Sequence, residues 1–264
     1  MKAKYAIVAC LCGVFIAVRI WAAEEASGMA SPPLHIQFGK EGLSGLAIGD
    51  SQILASGSPR LLAVTMETMS VENDQRKYAF NEIAVENNSV FSAADRRWRS
   101  AQPWGAVEVG YETRDGQLDI KITLDNRSEQ TLAYFQLELM KFVLPDPPKE
   151  LLNGKGIKGI EKNTMDNLPV IAVNAGAGKL AIASATPEQP LRLRLNKKAD
   201  DNAVSLEVAG GVGAHNPGEP FWWPLGLPRV SAKSRLTLGI TPVSYTHLRA
   251  HETPEHLVCR LLLE

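Results

Sequence analysis

Apolar and polar residues alternate with period two along most of the chain, and no window of helical length carries a clean 3.6-residue period. The clearest unit joins Val107, Val109 and Tyr111 to Leu118, Ile120, Ile122 and Leu124 across Asp115-Gly116. Asp-Gly suits a type I′ turn, whose two central residues both need positive φ, so a β-hairpin is predicted here. Asp119, Lys121 and Thr123 fall on the opposite face, which is expected to meet water. In the next run Phe135, Leu137 and Leu139 give way to Met140, Phe142 and Leu144. That change of parity predicts a β-bulge or a bend between sheets, and Pro145, Pro147 and Pro148 end the strand. The same pattern predicts strands over 34–38, 43–48, 61–69, 78–85, 169–174, 180–185, 191–195, 204–208 and 235–241. About a dozen strands without helical crossovers predict an all-β protein, a large antiparallel β-sandwich. Residues 149–165, rich in Gly and Lys, read as a long loop.

The two ends break the pattern. Lys2 and Lys4 precede an apolar stretch from Tyr5 to Val18, and Ala22-Ala23 lies before the first acids. This is the layout of a secretory signal peptide over 1–23, so the protein is expected to be exported, periplasmic or extracellular. An uncleaved anchor or a lipoprotein is the alternative, although few apolar residues precede Cys10 in Ile7-Val8-Ala9-Cys10. Beyond the signal segment no membrane contact is expected. Residues 24–32 then form a linker and 33–242 the β-sandwich domain. The last 22 residues, VSYTHLRAHETPEHLVCRLLLE, hold three of the five His and one of the three Cys. They resemble a translated transposase-type sequencing adapter: VSYTHLRAHET, a short index, then LVCRLLLE. On that reading 243–264 is an artefact of metagenomic assembly, the bacterial protein continues past Pro242, and His247, His251 and His256 are no metal cluster.

Composition narrows the chemistry. Of 264 residues 45% are hydrophobic, ample for a core, and the net charge is −1, which offers nucleic acid no basic surface. Three basic residues lie in the leader and two in the tail, and three acids lie in the tail, leaving 23 basic and 26 acidic residues in 24–242. That body has no cysteine, and its only histidines are His35 and His215. Thiol catalysis and zinc–thiolate sites are therefore excluded for it, disulfides cannot staple it, and no metal or cofactor is expected.

Candidate motifs are few. Gly176-Ala177-Gly178-Lys179 lacks the spacing and the Ser/Thr of a phosphate loop and reads as a hairpin turn. Gly210-Gly211-Val212-Gly213 reads as a flexible loop, and His215 as a loop residue. No nucleophile elbow is present. A glycosidase needs two carboxylates facing one sugar, whereas Asp and Glu here occupy turns or outward strand positions and read as solvated surface. Aromatic residues are more suggestive. Trp98 and Trp104 lie among Arg96, Arg97 and Arg99, and Phe221-Trp222-Trp223-Pro224 follows a Gly/Pro-rich stretch. Adjacent side chains on an extended strand point to opposite faces, so one of Trp222 and Trp223 is expected at a surface. Core or interdomain packing is one reading of these indoles. Carbohydrate stacking on Trp222, Trp223 and Trp104 is the other.

The run WGAVEVGYETRDGQLDIKITLDNRSEQTLAYFQLELMKFVLP, with FWWPLGLPRVSAKSRLTLGI later, resembles the N-terminal supersandwich-like domain of exported bacterial proteins related to glycoside hydrolases. The likeness spans roughly 33–242. It implies a non-catalytic domain of a truncated carbohydrate-active protein, whose catalytic barrel lies beyond Pro242 and whose partners are that missing domain and carbohydrate. No catalytic residue carries over. A free-standing exported sandwich that binds a ligand or protein in the cell envelope is the alternative, and a complete enzyme with carboxylates on the sandwich is a third.

Overall fold

In the computed structural model, which describes residues 33–114, 117–147, 150–152, 170–185, 191–197, 202–211 and 229–245, the alternating segments form antiparallel strands. No helix occurs among the described residues. In chain order the strands are β1 (Leu34–Gly39), β2 (Gly42–Ile48), β3 (Ser51–Gln52), β4 (Leu54–Ser56), β5 (Arg60–Glu72) and β6 (Gln75–Ile83). Next come β7 (Ser89–Ser92), β8 (Arg97–Gln102), β9 (Gly105–Arg114), β10 (Gln117–Asn126) and β11 (Thr131–Phe142). The last six are β12 (Glu150–Leu152), β13 (Val170–Asn174), β14 (Lys179–Ser184), β15 (Arg192–Lys197), β16 (Val204–Gly211) and β17 (Ser234–Tyr245).

Two large sheets make an all-β antiparallel sandwich. One runs β13-β14-β17-β10-β9-β8-β7; the other runs β12-β15-β16-β11-β5-β6, with β4 paired to β11. A small meander, β1-β2-β3, adds Leu34, Leu43, Leu46 and Ile48 to the shared core. The predicted hairpin is present: Ile120 faces Tyr111, Ile122 faces Val109 and Leu124 faces Val107. Leu118, Ile120, Ile122 and Leu124 are wholly buried, and β17 continues their layer with Leu238 and Ile240. On the other face Asp119 and Thr123 are half-buried and Lys121 is exposed, as alternation requires.

The parity switch in β11 is a bulge. Its register against β16 slips between Glu138 and Met140, so Leu139 is the extra residue, and both Leu139 and Met140 end in the core. Short strands escaped the sequence pattern because two to four residues carry no period. Glu150–Leu152, expected in a loop, pairs with β15 at the edge of its sheet. At the far end of β17, Val243, Ser244 and Tyr245 stay in register with Ala181, Leu180 and Lys179 of β14.

Asn126, at the end of β10, ties three segments together. Its buried amide Nδ2 donates to the carbonyls of Gln130 (2.8 Å), Val230 (3.1 Å) and Ser231 (3.0 Å). Its Oδ1 accepts from the Ser128 N–H and hydroxyl, closing an Asx-turn. Asn126-x-Ser128 is thus a structural knot joining β10, the turn into β11 and the approach to β17.

Candidate functional site

Trp222 and Trp223 lie outside the described residues, as does His215. Trp98 and Trp104 are 3% and 5% exposed and belong to the core. Trp104 sits in the β8–β9 turn, and its buried indole N–H meets no hydrogen-bond acceptor among the described residues. Its ring is closed to a ligand arriving from solvent. The neighbouring arginines are also engaged. Arg97 and Arg99 both reach Glu108 across the sheet, and Arg96 lies 4.6 Å above the Phe38 ring while donating to Thr113.

A second group of residues, built around two glutamates of the kind expected as solvated surface, is brought together on the outer face of the second sheet. Glu138 of β11 stands directly opposite Glu207 of β16, and both are buried, at 6% and 4% exposure. The carboxylates were expected mainly as solvated surface, and these two are exceptions. The Ser205 hydroxyl donates to Glu138 Oε2 at 2.7 Å, and Arg60 lies 3.6 Å from Oε1. Gln136 Nε2 donates to Glu207 Oε2 at 2.9 Å, and Asn196 Nδ2 to Oε1 at 3.2 Å. The Tyr134 hydroxyl donates in turn to Gln136 Oε1 at 3.1 Å.

Strand alternation explains the assembly. Tyr134, Gln136 and Glu138 share one face of β11; Ser205, Glu207 and Ala209 share that face of β16; Arg192, Arg194 and Asn196 share it on β15. Registers place Arg194 opposite Glu207, Arg60 opposite Glu138 and Lys141 opposite Ser205. Directly opposed like charges are destabilising, with Cβ atoms only about 5 Å apart. The two amides, the hydroxyl and the surrounding cations offset that repulsion. Beside the polar group, Ala63, Tyr134 and Ala209 form a small apolar patch separate from the main core. Gln136, Lys141, Arg194 and Asn196 are half-buried and Arg60 is exposed, so the rim of the cluster reaches the surface. Period-two reading of β11, β15 and β16 side by side was the available signal, but it needed the strand pairing that the sequence did not supply.

Three of the four carboxylate oxygens accept a hydrogen bond, and the fourth, Glu138 Oε1, has the Arg60 guanidinium at 3.6 Å, so both glutamates are held in place beneath the surface. Around the buried pair, Gln136, Asn196, Arg194 and Arg60 bring amide and guanidinium groups to the surface. Among the described residues no three His, Cys, Asp or Glu side chains converge on a metal position. An open hollow of about 480 Å³ lies elsewhere, between Asp95, Arg96, Glu112, Arg114 and Asp119. Its groups are spent locally: Arg96 on Thr113, Glu112 on Lys121 and Asp119 on Thr241. The Lys121 ammonium holds the Glu112 carboxyl below its ordinary range.

No protein-family model and no curated relative matches the sequence. Among solved structures, a galactose mutarotase related enzyme from Lactobacillus acidophilus is similar at 11% identity and a TM-score of 0.46, over 85% of this chain and 98% of that one. The Slr1438 protein of Synechocystis sp. PCC 6803 is similar at 14% identity and a TM-score of 0.42, over 82% and 93%. A polysaccharide lyase is similar at 9% identity and a TM-score of 0.38; the chain covers 33% of it and is itself covered over 84%. At these similarities no residue role passes from those proteins to this chain.

Proposed function

We propose that this β-sandwich is a non-catalytic, carbohydrate-contacting domain of an exported carbohydrate-active protein. The observation that carries the reading is the Glu138–Glu207 pair, buried on an outward sheet face and held by Ser205, Gln136, Asn196 and Arg60. In this reading the face binds and does not turn over: Glu138 and Glu207 are too buried to reach a glycosidic oxygen, and contact with a ligand falls to Gln136 and Asn196, half-buried at the rim. Whichever of Trp222 and Trp223 lies at the surface supplies the stacking platform in this reading.

Calorimetric titration of the full chain with neutral and acidic oligosaccharides tests the proposal. Binding is expected, weakened about tenfold or more by Gln136→Ala or Asn196→Ala, each of which removes a donor from the site. Trp222→Ala and Trp223→Ala are expected to differ, the one milder for stability weakening binding as well. Hydrolysis of aryl-glycosides by the full chain, lost on Glu138→Gln or Glu207→Gln, would overturn the non-catalytic part. No binding across the panel, or binding indifferent to Gln136 and Asn196, would overturn the site.

A further inference from the structure

Two rows of the second sheet's outer face are buried without a described layer above them. Ala63, Gln136 and Ala209 stand side by side across β5, β11 and β16, and Thr65, Tyr134 and Gly211 form the next row. Ala63, Thr65, Tyr134 and Ala209 are 8%, 0%, 5% and 8% exposed. Neighbouring side chains can bury an alanine between them, but a tyrosine ring standing on a sheet face keeps one flank wet unless something lies on it. The cluster of Ala63, Tyr134 and Ala209 has no further buried apolar member among the described residues. Thr65 Oγ1, buried in the same patch, meets no hydrogen-bond partner among them either. A short way along, the face is open. Past Glu67, which pairs with Thr131 of β11, β5 continues with β6 alone as a two-stranded ribbon, and its Met69, Val71, Tyr78 and Phe80 are exposed.

Both ends of one stretch of chain stand at this patch. β16 finishes at Gly211, opposite Tyr134, with a φ of +83° at which a Cβ would meet Ala133 O at 1.8 Å. The chain is described again from Arg229, whose guanidinium bonds Glu67 Oε2 at 2.8 Å on the same face. Val230 follows, exchanging both backbone hydrogen bonds with Leu132 of β11. Strand spacing and rise put Gly211 and Glu67 about 12 Å apart. Residues 212–228 join them, far more than the roughly four an extended chain would need. That stretch carries Val212, Phe221, Trp222, Trp223, Leu225 and Leu227, and Glu219 is its only formally charged residue.

We propose that the Ala63–Tyr134–Ala209 patch is the docking surface for this chain's own residues 212–228, which meet it through the Phe221-Trp222-Trp223 run. Apolar partners are what the patch lacks, and this stretch supplies them with almost no charge to desolvate. Its two ends are anchored beside the patch, so its effective concentration there far exceeds that of a second copy or a separate partner. Docking on the two rows accounts for the burial of Tyr134 and Thr65 while the ribbon beyond Glu67 stays open. No part of the inference uses a saccharide, so it stands or falls apart from the carbohydrate reading.

Thiol labelling of the full chain carrying Cys10→Ser, Cys12→Ser and Cys259→Ser tests this. Ala209→Cys is expected to react with a maleimide at least about tenfold more slowly than Ala101→Cys, which lies at an exposed strand position. Adding Phe221→Ser, Trp222→Ser and Trp223→Ser together should speed Ala209→Cys about tenfold or more and leave Ala101→Cys unchanged. The reciprocal arm needs no change within 212–228. Chymotrypsin should cut slowly after Phe221 and Trp222 in the unmodified chain, and Ala209→Arg, which sets a charged side chain on the patch, should speed those cuts about tenfold or more. Gly110→Arg puts the same side chain on the first sheet, where a Cβ meets nothing within 4 Å, and should leave the cutting rate as it was. Ala209→Cys labelling as fast as Ala101→Cys, or cutting indifferent to Ala209→Arg, would overturn the proposal. Slow labelling that survives the triple substitution would also overturn it, and if that protection faded on dilution a second copy would be the occupant.

Discussion

Asn126→Ala isolates what one buried amide contributes to closing the sandwich. The substitution removes three donated contacts and two accepted ones. Two amide hydrogens serve three carbonyls, so one contact is shared and about four effective bonds are lost, each worth roughly 1 kcal/mol net. The carbonyls are not all orphaned. Gln130 O keeps the Ser128 hydroxyl, Val230 O keeps the Leu132 N–H and Ser231 O keeps the Ser234 hydroxyl. That lowers the expected cost to about 3 kcal/mol, equivalent to a fall of roughly 6–12 °C in thermal midpoint for a chain of this size. Urea unfolding followed by tryptophan fluorescence reads it directly, because Trp98 and Trp104 are buried reporters. Asn126→Asp should cost more at neutral pH, since a carboxylate would face three carbonyl oxygens. Its folded-state pKa would be raised, so protonation restores one donor, and the deficit should shrink as pH falls through that raised value. A loss below about 0.5 kcal/mol for Asn126→Ala, or an Asn126→Asp deficit that grows on acidification, would refute the reasoning.

Three further outcomes follow from other positions. Gly105→Ala should destabilise by about 3 kcal/mol or more in the same urea assay, because φ is +153° and a Cβ would meet Asp125 O at 1.9 Å, whereas Gly110→Ala, with nothing within 4 Å, should cost about 1 kcal/mol or less. The hydrogen bond from Arg127, helped by Arg235, holds the Asp125 carboxyl below its ordinary range. Its contribution is therefore fully present above about pH 4 and is lost as pH falls toward the lowered folded value, so acid unfolding curves of Asp125→Asn and the parent chain should converge at low pH. Trp104→Ala should cost about 3–5 kcal/mol of stability, as an emptied core position does, and should leave oligosaccharide affinity in the folded protein unchanged by titration calorimetry.

The hairpin around residues 115–116 and the bulge in β11 were legible because each rests on a local rule: turn chemistry in one case, a change of parity in the other. The outer-face cluster was not. Gln136, Glu138, Asn196, Ser205 and Glu207 are unremarkable along their own strands, and the cluster exists only once β15, β16 and β11 are laid side by side. Period-two alternation marks such residues as outward-facing, but it does not distinguish a solvated outward face from a buried one. Trp104 shows the converse. An indole beside three arginines looks like a surface platform, yet its place in the tight β8–β9 turn directs it inward, while the arginines find partners of their own. The ribbon beyond Glu67 was shortened in the sequence reading because both of its faces are exposed, so its apolar positions no longer contrast with a polar side.

The two unusual regions of the outer face are opposite solutions to one problem. A sheet face that only needs to meet water would carry scattered charges at little cost, since exposed ion pairs contribute about 0–1 kcal/mol. Burying Glu138 against Glu207 is dearer, because desolvation and like-charge repulsion must both be met by well-placed donors. Exposing Met69, Val71, Tyr78 and Phe80 is also unfavourable, as each leaves apolar surface wet and invites association. Neither feature follows from folding this sandwich: the core is closed without them by Phe135, Phe142 and the β10–β17 layer. A buried carboxylate pair held by placed donors and an exposed apolar ribbon each cost more than ordinary solvated surface would at the same positions.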